Sequence, residues 1–233
     1  MRGSSARDFD AVNVDGTRNL LAATTRYAPA AKLLMLSSLA ASQPTLSWYA
    51  NSKYRAEELL RETSQLNWCI LRPPPVYGPG DEEMKAIFDC MAHGFAPVPG
   101  STSARTSLIH VDDLVTACLA CLHEPACRGA TYTPSDGTPG GYDWQQMASI
   151  ASETWHRKVR LLPVPRLLLN SIARLNLLLA KLTGRAPMLT PAKLRELRHP
   201  DWVTDNRELS EATGWEPRIT LAEGLNQLAK PAL

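Results

Sequence analysis

Short apolar runs alternate with longer stretches of helical periodicity along most of this chain. Lys32-Leu33-Leu34-Met35-Leu36 and Trp68-Cys69-Ile70-Leu71 are too short for helices and read as buried strands. Around them apolar residues recur every three or four positions, the spacing of a helix with one buried face. The pattern predicts helices over 8–27, 48–64, 81–94, 112–123, 143–155, 165–183, 190–198 and 220–229. Strands are predicted over 32–37, 67–72, 106–110, 130–133 and 158–162. Helix and strand in alternation predict an α/β fold with parallel pairing.

One stretch departs from this rhythm. Eleven leucine and isoleucine residues crowd into residues 161–182, leaving a thin polar stripe at Asn170, Arg174 and Lys181. Charges within it and Pro163 and Pro165 before it argue against a membrane crossing. A buried core helix, a dimer face, a greasy lid and a helix lying on a membrane surface all fit the pattern. In the last case Arg160, Arg166, Arg174, Lys181 and Arg185 would sit near lipid phosphates.

Candidate chemistry concentrates at the start of the helix 48–64. Tyr49 and Lys53 are four residues apart and share one helix face. An ammonium beside a phenol favours the phenolate, so the tyrosine can exchange a proton nearer neutral pH. Ser37 and Ser38 follow the first predicted strand, at the strand end where open α/β sheets bind ligands. Turn chemistry alone also accounts for two serines there. The second predicted strand runs into Pro73-Pro74-Pro75-Val76-Tyr77-Gly78-Pro79-Gly80, a stiff exit loop able to press backbone against a flat ring. In His110-Val111-Asp112-Asp113, either aspartate suits a helix N-cap, and His110 reads as a packed residue before a catalytic one.

These segments occur in one order: Asn13 to Thr17, Ser37-Ser38, Tyr49 to Lys53, Arg72 to Gly80, and His110 to Asp113. That order resembles the extended short-chain dehydrogenase/reductases, the NAD-dependent epimerase/dehydratase family. Gly214-Trp215-Glu216-Pro217 and Glu223-Gly224-Leu225 are similar to that family's C-terminal end. The resemblance implies a partial Rossmann-like, doubly wound parallel sheet with a small, mostly helical C-terminal part for substrate. Residues 1–75 would form the later half of an NAD(P)-binding domain, and 76–233 the last strands interleaved with a substrate and lid region. It implies hydride transfer at a carbinol or ketone carbon with NAD or NADP. Tyr49 would be the general acid–base, Lys53 would tune it and hold the nicotinamide ribose, and Ser38 would bind the substrate oxygen. Ser37, Tyr49, Lys53, Pro73 and Val76 would contact the cofactor. The family's third hydroxyl position is Leu39 here.

No G-x-G-x-x-G follows a strand near the start. The expectation is therefore a fragment or a late start lacking the pyrophosphate-binding strands and exposing one sheet edge, with cofactor binding weakened or lost. A true short form is the alternative. The leucine-rich C-terminal half points to an apolar, lipid- or steroid-like substrate. A nucleotide-sugar epimerase or dehydratase, with Arg105 in its pocket, and a non-catalytic assembly subunit are the rivals, and homodimerisation stays open.

Composition trims these options. A hydrophobic fraction of 44% supports a real core, and a net charge of +2 with scattered cations gives no case for nucleic acid. Five cysteines lack a completed metal pattern, and Cys118-x-x-Cys121 lies inside an apolar helix, so packing is expected and no metal site. With no apolar leader in residues 1–10, a cytoplasmic protein is expected.

Overall fold

The computed structural model describes residues 3, 5–63, 65–183 and 189–228, without the side chains of 181–183. The expectations for Lys181, Leu182, Arg185 and residue 229 thus lie outside the described residues. In chain order, α1 (Ala6–Asp10) passes through a π-helical turn (Ala11–Asp15) into α2 (Gly16–Tyr27). Then come β1 (Lys32–Leu36), a 3-10 turn (Leu39–Ser42), α3 (Trp48–Arg61), β2 (Asn67–Leu71) and β3 (Val76–Tyr77). α4 (Glu83–Ala92), β4 (Phe95–Val98), β5 (Arg105–Thr106), β6 (Ile109–His110), α5 (Val111–His123) and β7 (Ala130–Tyr132) follow. The rest comprises α6 (Trp144–Thr154), β8 (Arg160–Pro163), α7 (Arg166–Thr183), α8 (Pro191–Leu197), β9 (Asp201–Trp202), α9 (Arg207–Thr213) and α10 (Leu221–Gln227).

Two compact units share these elements. The first takes residues 1–72, 121–132 and 166–197, and the second takes the remainder. In the first unit three parallel strands lie in the order β1-β2-β7. β2 is the central strand, and Cys69 to Leu71 are wholly buried, as a parallel strand covered on both faces must be. Its side chains alternate. Trp68 and Ile70 pack with Leu21 of α2 and Leu60 of α3, while Cys69 points to the opposite face. β1 pairs only with β2 among the described strands, and Leu36 at its end is exposed.

The single helix expected over 8–27 is broken by the π-turn. Asn13 and Val14 lie on its buried side, and Asn13 donates from Nδ2 to the Ser52 hydroxyl of α3 at 2.8 Å. A wider turn of this kind is uncommon and often found beside functional sites.

All strand pairings of the second unit are parallel as well, but they form three separate ladders: β3 with β6, β4 with β8 and β5 with β9. The α/β class with parallel strands is therefore as expected. The one strand expected over 106–110 is two short ones, because the chain changes partner midway. Thr106 pairs with Trp202 and bridges to Tyr142, whereas Ile109 pairs with Val76. Tyr77 anchors the core of this unit, edge-on to Phe88 at 5.6 Å between ring centres. A Cβ on Gly224 would sit 2.5 Å from the Tyr77 ring, so α10 can approach only through a glycine.

Neither Asp112 nor Asp113 serves as the N-cap expected of it, since α5 begins at Val111. Asp113 is buried, and its carboxylate accepts the backbone N–H groups of Arg218 and Ile219 at 2.9–3.1 Å. Trp215 adds a second staple from Nε1 to the Thr116 hydroxyl at 2.9 Å. The bonds to the Asp113 carboxylate are charge-assisted and are the stronger of the two. Asp113→Ala is expected to cost about 2 kcal/mol in urea unfolding; a midpoint equal to that of the parent chain would show that the C-terminal segment is held by other contacts.

Candidate active site

The site is built on α3. Ser47 caps it, accepting from the Ala50 N–H at 2.9 Å while its hydroxyl donates to Glu196 of α8. The cap fixes where the helix starts, and so which residues share a face. Tyr49, Lys53 and Glu57 follow at intervals of four and line one side.

Lys53 is half-buried, and its Nζ donates to the Leu36 carbonyl at 3.0 Å, at the carboxyl end of β1. Burial lowers its pKa below the ordinary 10.5, with the charge of Glu57 working in the opposite direction. Tyr49 is half-buried one turn earlier, its ring edge-on to Phe9 of α1 at 6.0 Å between centres.

Below them lies a carboxylate that the sequence reading did not single out. Glu57 is completely buried and meets two arginines. Arg72, just past β2, reaches it through Nε at 2.9 Å and through a terminal nitrogen at 2.5 Å. Arg61 reaches it at 2.9 Å. The Ser37 hydroxyl donates to it too. The ends of β1 and β2 are thereby tied to the face of α3 that carries Tyr49 and Lys53. One signal was present: Glu57 continues the four-residue spacing beyond Lys53.

Ser37 is buried and its hydroxyl is committed to Glu57. Ser38 is half-buried and begins the 3-10 turn that packs against α3, accepting from the Ala40 N–H at 3.2 Å. Of the two, Ser38 is the more accessible for a ligand oxygen. Pro73 and Val76 belong to the second unit, where Val76 opens β3.

His110 is fully buried in the second unit, edge-on to Tyr77 at 5.3 Å. Its Nδ1 accepts the Asp112 N–H at 3.3 Å, and Nε2 has no hydrogen-bond partner among the described residues. Gly78 lies so close that a Cβ there would stand 2.8 Å from Nε2. At Gly78 the proline-rich loop packs against this imidazole. Arg105 is occupied as well: it donates to the Gly140 carbonyl at 2.5 Å and to the Gly141 carbonyl at 2.9 Å, bracing a glycine turn.

Cys121 belongs to a group of three buried cysteines that the C-x-x-C spacing does not reveal. Its sulfur gathers with those of Cys69 and Cys127, all buried and within 4.8 Å of one another. A thiolate-bound metal requires a similar spacing. Neighbouring thiols and burial push the Cys121 thiol upward, and burial does the same to Cys127; the cluster lies on the face of β2 opposite α3.

A parallel α/β unit with a Tyr–Lys pair on the helix after its first strand defines a class of nucleotide-dependent oxidoreductases and epimerases. The family model described as "NAD dependent epimerase/dehydratase family" matches residues 2–132, and the chain belongs to that family. Its members bind NAD or NADPH. The chain is 32% identical over 212 residues to a ceramide reductase of Caulobacter vibrioides, covering 91% of this chain and 65% of that protein. It is 28% identical to the UDP-glucose 4-epimerase of Vibrio cholerae, covering 79% of this chain and 53% of that one. A putative epimerase from Burkholderia cenocepacia has the same fold, with a TM-score of 0.71 at 19% identity over 98% of this chain and 72% of that one. The chain thus spans between half and two thirds of the length of these two curated relatives.

Proposed function

We propose that this protein is an NAD(P)-dependent oxidoreductase acting at a carbinol or ketone carbon of a substrate with an apolar, lipid-like body. The observation that carries the reading is the placement of Tyr49 and Lys53 on one face of α3, with the Lys53 amine drawn to the end of β1. Lys53 fits a nicotinamide cofactor. An ammonium has three donors, and among the described residues one goes to Leu36, which leaves two for the hydroxyls of a ribose. The bound nicotinamide supplies or accepts the hydride. Tyr49 gives its phenolic proton to the carbonyl oxygen in reduction and takes it back in oxidation. The Lys53 charge stabilises the phenolate left behind. Ser38 would orient the substrate oxygen, and Pro73 and Val76 would border the nicotinamide.

The lipid-like substrate draws on two facts. A ceramide reductase is among the relatives at 32% identity, and the exposed leucines of α7 give this chain an apolar surface. Arg105, the arginine that a nucleotide-sugar pocket would call on, is engaged with backbone carbonyls.

The test is NADH or NADPH oxidation followed at 340 nm with a long-chain ketone, in parallel with UDP-sugars. Turnover of the ketone without competition from UDP-sugars is expected. Turnover of a UDP-sugar alone would establish the epimerase or dehydratase reading instead. Turnover of neither, with no protection from heat by NAD or NADP, would favour a non-catalytic subunit.

A further inference from the structure

α7 departs from the pattern of an ordinary surface helix. Such a helix turns its large apolar residues inward and its polar ones to water. Here Leu167 is 82% exposed, and Leu168, Leu175 and Leu178 are each more than half exposed. Ile172 lies on the same side, at the three- and four-residue spacing of one continuous face. The inward side presents Ala173 and Ala180, both buried. Isolated exposed leucines are unremarkable, but a contiguous face of them marks an interaction surface.

Charge identifies the occupant. The sequence has no aspartate or glutamate between Glu153 and Glu196, and that interval holds nine of the chain's 25 lysines and arginines. The remaining sixteen are outnumbered by 23 acidic residues, so the rest of the chain is net negative. Two of the nine, Arg166 and Arg174, are exposed on α7 itself. A second copy seated on this helix would bring its own cationic segment against the first. An anionic bilayer offers the opposite charge and an apolar layer beneath it. No described helix is long and apolar enough to cross a membrane, and Asn170, Arg174 and Asn176 interrupt α7.

We propose that α7 lies flat on an anionic lipid surface, its leucine face at the acyl boundary and its arginines at the lipid phosphates. This rests on α7 and on the charge distribution, not on the proposed substrate. The experiment contains neither substrate nor cofactor, so either reading can fail without the other. The chain is floated with phosphatidylcholine vesicles, with and without phosphatidylglycerol. Binding is expected only to the vesicles with phosphatidylglycerol, weakening as salt rises. The double variant Leu175→Glu/Leu178→Glu, at positions already facing water, should retain its circular dichroism spectrum and lose binding by about tenfold or more. Arg174→Glu should also weaken it. Failure to bind either vesicle, or equal binding by the double variant, overturns the proposal. So does a dimer in sedimentation velocity that the double variant converts to monomer without any vesicle binding by the parent chain.

Discussion

Tyr49→Phe is expected to lower turnover by about 10²–10⁴-fold, the range over which a positioned proton donor accelerates a reaction. The substitution keeps the ring that stands edge-on to Phe9 and removes only the oxygen, so the circular dichroism spectrum should be unchanged. Lys53→Met should also cost activity, in a way that reports on pH. Burial sets the Lys53 pKa below its ordinary value, so under the proposed reading the parent chain should lose its alkaline activity at a pH below that of a solvated lysine. Ser38→Ala should cost less than Tyr49→Phe, because other groups can still polarise the substrate oxygen. The check is kcat and KM for the long-chain ketone at saturating NADH or NADPH. If Tyr49→Phe turns over within tenfold of the parent, the proton comes from elsewhere and the assignment of Tyr49 is wrong.

Periodicity revealed the α/β class and most helices, because amphipathic spacing is local. It failed where tertiary partners decide the structure. The strands Val76–Tyr77, Arg105–Thr106 and Asp201–Trp202 are two residues long, too short to show alternation, and exist only through their parallel neighbours. The π-turn at Ala11–Asp15 was invisible because it changes the helix by a single residue, and the bond that ties it to α3, from Asn13 to Ser52, spans 39 positions. In the candidate site, Tyr49 and Lys53 were legible from spacing, and Ser38 from its place after a strand. Ser37, read as the lesser candidate for the substrate oxygen and as a cofactor contact, has its hydroxyl bound to Glu57, since successive residues of an extended chain point to opposite sides. Asp113 shows the same limit: helix-start statistics fit it, but its partners are more than a hundred residues away.

Glu57→Ala is expected to destabilise the protein by about 3 kcal/mol or more, the cost of breaking a buried ion pair from one side. The carboxylate is wholly buried, while Arg72 and Arg61 are 18% and 31% exposed at their side chains. Their exposure lets the stranded guanidinium groups recover some hydration, which keeps the loss near the low end of the ~3–5 kcal/mol that breaking a buried pair costs. The loss falls on the junction of β1, α3 and β2, so turnover should drop in the surviving folded population as well. Glu57→Gln keeps the shape and one acceptor oxygen and should cost less. The decisive comparison is a double-mutant cycle with Arg72→Met, read by urea unfolding. If the network acts as described, Glu57→Met/Arg72→Met should be more stable than the sum of the single losses, because neither charge is then left alone in the core. Strictly additive losses would mean that Glu57 and Arg72 contribute independently, and that the Tyr49–Lys53 face is positioned by packing of α3 alone.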